Sequence, residues 1–199
     1  MRNFIRCWIF AATLPLIAVL PAYSRLFSFG AKVGVPLTNA YTPLPIEGSV
    51  NDPRFTIGPT VEVRLPLHLS FEVDALWRTS SYSVTIPPTL NYGGTYASTY
   101  RDWQIPFIAK YERGSGAVRP FIDAGVVFRH VSGSSSINPP WNPNTAGVAV
   151  GGGVTVKLPH LRLSPEIRYT GWPTPAFPSG YAMVTSTDNQ VDLLVGITF

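Results

Sequence analysis

The chain has 199 residues, of which 45% are hydrophobic, 13% aromatic and only 13% charged. A soluble domain carries about 25% charged residues, so solvating groups are scarce, while the hydrophobic content excludes a disordered chain. The net charge of +4 is modest, and no Lys/Arg cluster gives it the footprint of a nucleic-acid partner.

Residues 1–24 read as a signal peptide. Arg2 and Arg6 form a short basic start, Trp8 to Leu20 an apolar core broken at Pro15, and Ala22-Tyr23-Ser24 a small-x-small cleavage site. The alternative, a helical anchor, needs about 20 apolar residues to span a bilayer, and this run is shorter. Cys7, the single cysteine, lies inside it. Residues 25–199 are therefore expected to form one mature domain with no disulfide, thiol nucleophile or thiolate metal site.

Past the leader, one theme recurs: apolar and polar residues alternate with period two, the pattern of half-buried strands. Eight such segments follow in order, near residues 27–37, 54–65, 69–78, 100–112, 119–130, 147–158, 161–171 and 190–199. In the first, Phe27, Phe29, Ala31, Val33 and Val35 oppose Ser28, Gly30, Lys32 and Gly34. In the fourth, Trp103, Ile105, Phe107, Ala109 and Tyr111 oppose Asp102, Gln104, Lys110 and Glu112. In the last, Val191, Leu193, Val195, Ile197 and Phe199 oppose Gln190, Asp192, Gly196 and Thr198.

Connections at 65–69, 113–118 and 158–161 are short. Those near 38–53, 80–99, 131–144 and 172–189 are long and rich in Pro, Gly, Ser, Thr, Asn and Tyr. Short turns at one end and long loops at the other suit a membrane barrel. Pro59, Pro106 and Pro165 fall within strands, are read as lying on the apolar face, and are expected at bulges or unpaired positions, because each lacks a ladder donor.

The polar face carries Lys32, Glu62, Arg64, Glu72, Asp74, Arg78, Asp102, Lys110, Asp123, Arg129, Lys157, Arg162, Glu166, Arg168 and Asp192. Its mixed signs suit an ion-pair network across a narrow lumen, whereas an Arg facing lipid costs about 2–4 kcal/mol at mid-depth. Aromatics gather at strand ends. Trp77, Tyr100, Trp103, Tyr169 and Trp172 lie at the long-loop end and Phe27, Tyr111 and Phe199 at the other, as interfacial belts do. The expected fold is all-β: an eight-stranded antiparallel up-and-down transmembrane barrel.

The leader, the eight amphipathic strands, the alternating connection lengths and the ending Gly196-Ile197-Thr198-Phe199 resemble the OmpA/OmpX-like family of small outer-membrane barrels, across residues 25–199. The resemblance implies a Gram-negative outer membrane, with membrane lipids and lipopolysaccharide as surroundings and only the barrel part of OmpA represented. It also implies a last strand, Val191 to Phe199, read by the barrel-assembly machinery.

An eight-stranded barrel is narrow enough for side chains to fill, so a monomer with a structural or surface-interaction role through its long loops is expected, with no cofactor. Three alternatives stand beside it: a small pore, a soluble lipocalin-like binding barrel and a lipid A-modifying enzyme. For the enzyme, His130-Val131-Ser132 resembles the His-x-Ser pair of PagL-like deacylases, in which a His serves as general base. That family needs an acid to orient the His, and no Asp or Glu occurs between Asp123 and Glu166. His68 and His160 lie in short turns, Gly151-Gly152-Gly153 lies inside a strand rather than a phosphate loop, and no metal-ligand spacing is present.

Overall fold

The computed structural model describes residues 26–39, 41–43, 48–51, 55–86, 94–133, 140–177 and 184–199; the expected signal peptide lies outside them. Within these residues are β1 (Phe27–Pro36), β2 (Tyr41–Pro43), β3 (Gly48–Asn51), β4 (Thr56–Arg64), β5 (Leu69–Asp74), β6 (Leu76–Ile86), β7 (Gly94–Glu112), β8 (Val118–Gly133), β9 (Asn144–Lys157), β10 (Arg162–Gly171), β11 (Val184–Ser186) and β12 (Asn189–Thr198).

Antiparallel pairing runs β1–β12–β10–β9–β8–β7, then through β5 and β6 to β4 and back to β1. β5 and β6 are halves of one strand, since Thr60↔Asp74 and Ile57↔Trp77 continue the same register on β4. The result is a closed eight-stranded antiparallel barrel. Closure joins the chain ends: Ala31 pairs with Ile197, and the Phe199 N–H donates to the Phe29 carbonyl at 2.9 Å. No strand edge is left open along this ring, which removes the usual route to edge-to-edge aggregation.

The strand prolines cause missing rungs rather than bulges. Pro59 faces Ala75, whose N–H donates to the Pro59 carbonyl at 3.0 Å, but Pro59 has no N–H to return. Pro106 stands opposite Asp74 in the continuous β5/β6–β7 register, and the ladder is interrupted there between Val73↔Phe107 and Leu76↔Gln104 without a change of register. Pro165 interrupts the β9–β10 ladder between Leu163↔Val156 and Glu166↔Gly153 without changing the register. Pro106 also corrects the expectation of its face: it is buried and shares the inward parity of Gln104 and Ile108.

One hairpin arm reaches further than the apolar pattern suggests. β6 and β7 pair as far as Ile86↔Gly94, well into the stretch expected as a loop. The arm is built from Thr, Ser and Tyr, which favour strands but show no apolar alternation. Ser81 meets Thr99, and Thr85 meets Thr95, through hydroxyl pairs of 3.1 Å. Beyond the ring, β3 adds to β6, and β2 pairs with β11, tying the first long connection to the last.

The β4–β5 turn is tight. Leu67 and His68 both adopt left-handed backbone, with φ of 65° and 63°. Two successive residues of this kind form the primed turn that matches strand twist, which usually calls for Asn-Gly.

Candidate functional site

Alternation turns every second side chain of each barrel strand inward, and closure brings the inward ones of distant strands together. At mid-height, three cations meet three carboxylates. Lys32 of β1 pairs with Glu72 of β5, and its Nζ lies 3.2 Å from Asp74 and 3.1 Å from Glu166 of β10. Lys110 of β7 donates to Glu72 at 2.7 Å. Arg168 of β10 spans the lumen to Glu72 at 3.1 Å and Asp74 at 3.0 Å, and its Nε donates to Glu166. All six are buried. The mutual attraction of such charges in a low-dielectric interior offsets desolvation only when the set is complete and hydrogen-bonded.

Toward the long-loop end, Arg78 grips Asp102 through Nε and Nη2 at 3.1 and 2.8 Å and donates to Gln190 at 3.0 Å. Asp192 lies 4.0 Å from the same guanidinium. Arg129 donates to Thr145 at 3.0 Å and stacks 4.1 Å above the Trp172 ring. Toward the short-turn end, Glu62 is buried, Arg64 donates to Ser28, and Arg119 lies 3.7 Å from Glu112; Lys157 and Arg162 are half-buried there. Asp123 is buried beside Gly151, where a β-carbon would come within 2.7 Å of its Oδ1. The fifteen charged positions of the polar face thus all lie on the lumen side, in three layers.

The lumen is less polar than the sequence suggests. Leu76, Ile108, Phe121, Val127, Val131, Ala149 and Leu194 also point inward and are buried. Lys110 lies 4.6 Å from the Phe121 ring, a cation–π contact that adds to its ion pair.

Two aromatics expected in the outer belt are inside. Tyr100 is fully buried and meets Phe177 edge-on, with ring centroids 5.0 Å apart. Trp172 is 2% exposed and packs with Ile108, Val127 and Ala149. Both have the inward parity of their strands, which outweighs the preference of their residue types for an interface. With them, Ala176 and Phe177 of the last long connection are fully buried over the long-loop mouth, held by the Trp141 N–H to the Ala176 carbonyl at 3.1 Å and the Ser186 N–H to the Phe177 carbonyl at 3.2 Å. This aromatic cap has no signal in strand periodicity, because it is built from loop residues.

Outward, the barrel carries a continuous apolar belt. Phe29, Val33, Ile57, Phe71, Ile105, Ile122, Val126, Phe128, Val148, Val150, Ile167 and Leu193 are all exposed, from 38% to 67%. At the long-loop edge lie Trp77, Trp103 and Tyr169; Trp77 meets Phe55 with centroids 6.1 Å apart, and the Tyr169 hydroxyl donates to Asn189. Phe199 is 72% exposed at the opposite edge, where Tyr111 and Leu69 lie exposed on other strands of the ring. Trp103 and Tyr111 are eight residues apart on β7, about 27 Å along a strand. At a strand tilt near 40° the belt is about 20 Å high, close to the band of a membrane barrel.

His130 and Ser132 also face outward, at the level of Trp103 and one rung beyond it. The partner that orients His130 is an amide: its Nδ1 lies 2.7 Å from Asn144 Oδ1. The two stand beside an open groove of about 400 Å³ walled by Trp103, Ile105, Phe128 and Ala146.

A closed eight-stranded barrel with charges inside and an apolar belt outside defines a class of architecture shared with solved outer-membrane proteins. The crystal structure of Neisserial surface protein A (NspA) is similar over 86% of this chain and 95% of that one, with 16% identity and a TM-score of 0.53. That of the outer membrane protein OprG from Pseudomonas aeruginosa is similar over 87% and 94%, with 14% identity and a TM-score of 0.56. At these identities the likeness is one of fold. No protein-family model and no curated protein sequence matches the chain.

Proposed function

We propose that this chain is an outer-membrane barrel whose own side chains close its lumen, with a structural or surface-interaction role at its long-loop end. The outward belt carries this reading. Soluble monomers rarely expose apolar patches beyond a few hundred Å², whereas here large apolar side chains face outward on all eight strands. A soluble lipocalin-like barrel reverses this arrangement, with its apolar face inside. The mid-height ion pairs and the Phe177 cap speak against a diffusion pore. Lipids and lipopolysaccharide would surround the belt, and the strand ending at Phe199 would be handed to the barrel-assembly machinery as a monomer folds.

Membrane fractionation with heat-modifiable gel migration tests the placement, and planar-bilayer recording tests the closed lumen. Recovery as a soluble periplasmic protein would reject the first, and steady currents on the scale of large porins the second.

A second reading rests on the His130–Asn144 hydrogen bond. With Asn144 Oδ1 accepting from the Nδ1–H, the His130 Nε2 is left free to act as a base, although the amide, unlike an acid, neither enforces that tautomer nor stabilises an imidazolium charge; Ser132 lies on the same face. This arrangement supports a lipid A deacylase of reduced power. Mass spectra of lipid A from cells expressing the chain decide it: loss of one acyl chain that depends on His130 supports the enzyme, and intact lipid A removes it.

A further inference from the structure

We propose that the outward face of β7–β9 holds one phosphorylated membrane lipid, with an acyl chain in the groove beside Phe128 and its phosphate on Arg101. The inference rests on the membrane-spanning reading but not on any hydrolytic activity. Its first observation is a charge in an unusual place. Among the described residues of the barrel strands, Arg101 is the one charged side chain with outward parity. Such a charge is costly at mid-depth but close to neutral near the interface. Arg101 sits there, one outward rung, about 7 Å, beyond Trp103. A guanidinium matches the geometry of phosphate with two parallel donors.

The second observation is the groove itself. The rung Ile105–Phe128–Ala146 sets two bulky side chains against a small one, so the surface dips at Ala146. The next rung, Trp103–His130–Asn144, turns polar toward the loops, and Arg101 with Ser132 follows. Along one line the surface therefore runs from apolar, through hydrogen-bonding side chains, to cationic. A phosphorylated lipid presents that same order from its chain to its phosphate.

Native mass spectrometry of the full chain, folded in dodecyl maltoside and titrated with phosphatidylglycerol, tests this. One lipid per chain is expected. Arg101→Gln should weaken retention at least about tenfold, the worth of a charge-assisted hydrogen bond. Ala146→Phe, an apolar change on an apolar face, should weaken it similarly by filling the groove while leaving heat-modifiable migration intact. Diacylglycerol, which lacks the phosphate, and glycerol phosphate, which lacks the chains, should each bind more weakly than phosphatidylglycerol. Equal retention by the wild type and both variants would overturn the proposal, as would diacylglycerol or glycerol phosphate binding as tightly as phosphatidylglycerol. Those results leave the membrane reading standing. A wild-type chain that stays soluble and shows no folded mobility shift overturns both.

Discussion

Arg168 Nη1 lies 3.0 Å from Asp74 Oδ2, although the two residues belong to β10 and β5, which do not pair with each other. The contact exists only because the sheet closes. Removing the guanidinium leaves Asp74, Glu72 and Glu166 short of one shared cation in a buried layer. Arg168→Met should therefore destabilise the barrel by about 3–5 kcal/mol, read from guanidinium unfolding in lipid vesicles. Lys157→Gln, at the half-buried short-turn end, should cost less than about 1 kcal/mol. Equal effects would mean that the mid-height cluster is not a cooperative unit.

The face assignment is open to a direct test at Val126, which is 47% exposed in the belt on β8. In lipid, Val126→Arg should cost about 2–4 kcal/mol. In a soluble barrel the same change adds a solvating group to an exposed site and should be close to neutral. Unfolding titrations of the two proteins separate the cases.

The cap predicts a local effect. Phe177→Ala removes the edge-on contact with Tyr100 and should lower the free energy of local opening by about 3 kcal/mol. Faster amide exchange is expected across residues 172–177. Conductance in planar bilayers should stay at baseline, because the Lys32–Glu72–Arg168 layer lies deeper. A channel opened by this single change would shift the seal from the ion pairs to the cap.

The Leu67–His68 turn offers a stabilising substitution. Left-handed backbone costs an ordinary residue about 1–2 kcal/mol, a penalty Asn and Gly largely avoid. Leu67→Asn combined with His68→Gly keeps the turn and should raise stability by about 1–2 kcal/mol, seen as a higher midpoint of thermal unfolding. A fall in midpoint would show that the exposed Leu67 side chain makes a contribution larger than the backbone strain.

Strand number and sidedness were legible in the residues. Each segment carries its own period-two record, and a one-residue slip would have put charges such as Glu72 or Arg168 on the belt. Structure and expectation part where residue type and parity point to different faces. Trp172 and Tyr100 look interfacial by chemistry, yet their even positions match Arg168, Thr170, Asp102 and Gln104, and they turn inward. Pro106 shares that parity and turns inward too. The β6–β7 arm leaves no period-two record, because Thr and Ser form strands without marking a face. Arg101, by contrast, is visible in the sequence as the odd-numbered charge in an otherwise apolar row.

By itself, then, the sequence determined eight strands, their faces and the sides on which the short and long connections fall, because alternation is a local property of each strand. The tertiary structure alone decided which charges meet. Lys32, Glu72, Lys110 and Arg168 come from four strands, and their partnership depends on how far each strand is shifted when the sheet closes on itself. That shift is set by pairing around the whole ring, so no single segment records it. The fold of residues 176 and 177 over the mouth was likewise decided by contacts between loops and lumen, for which no periodicity exists.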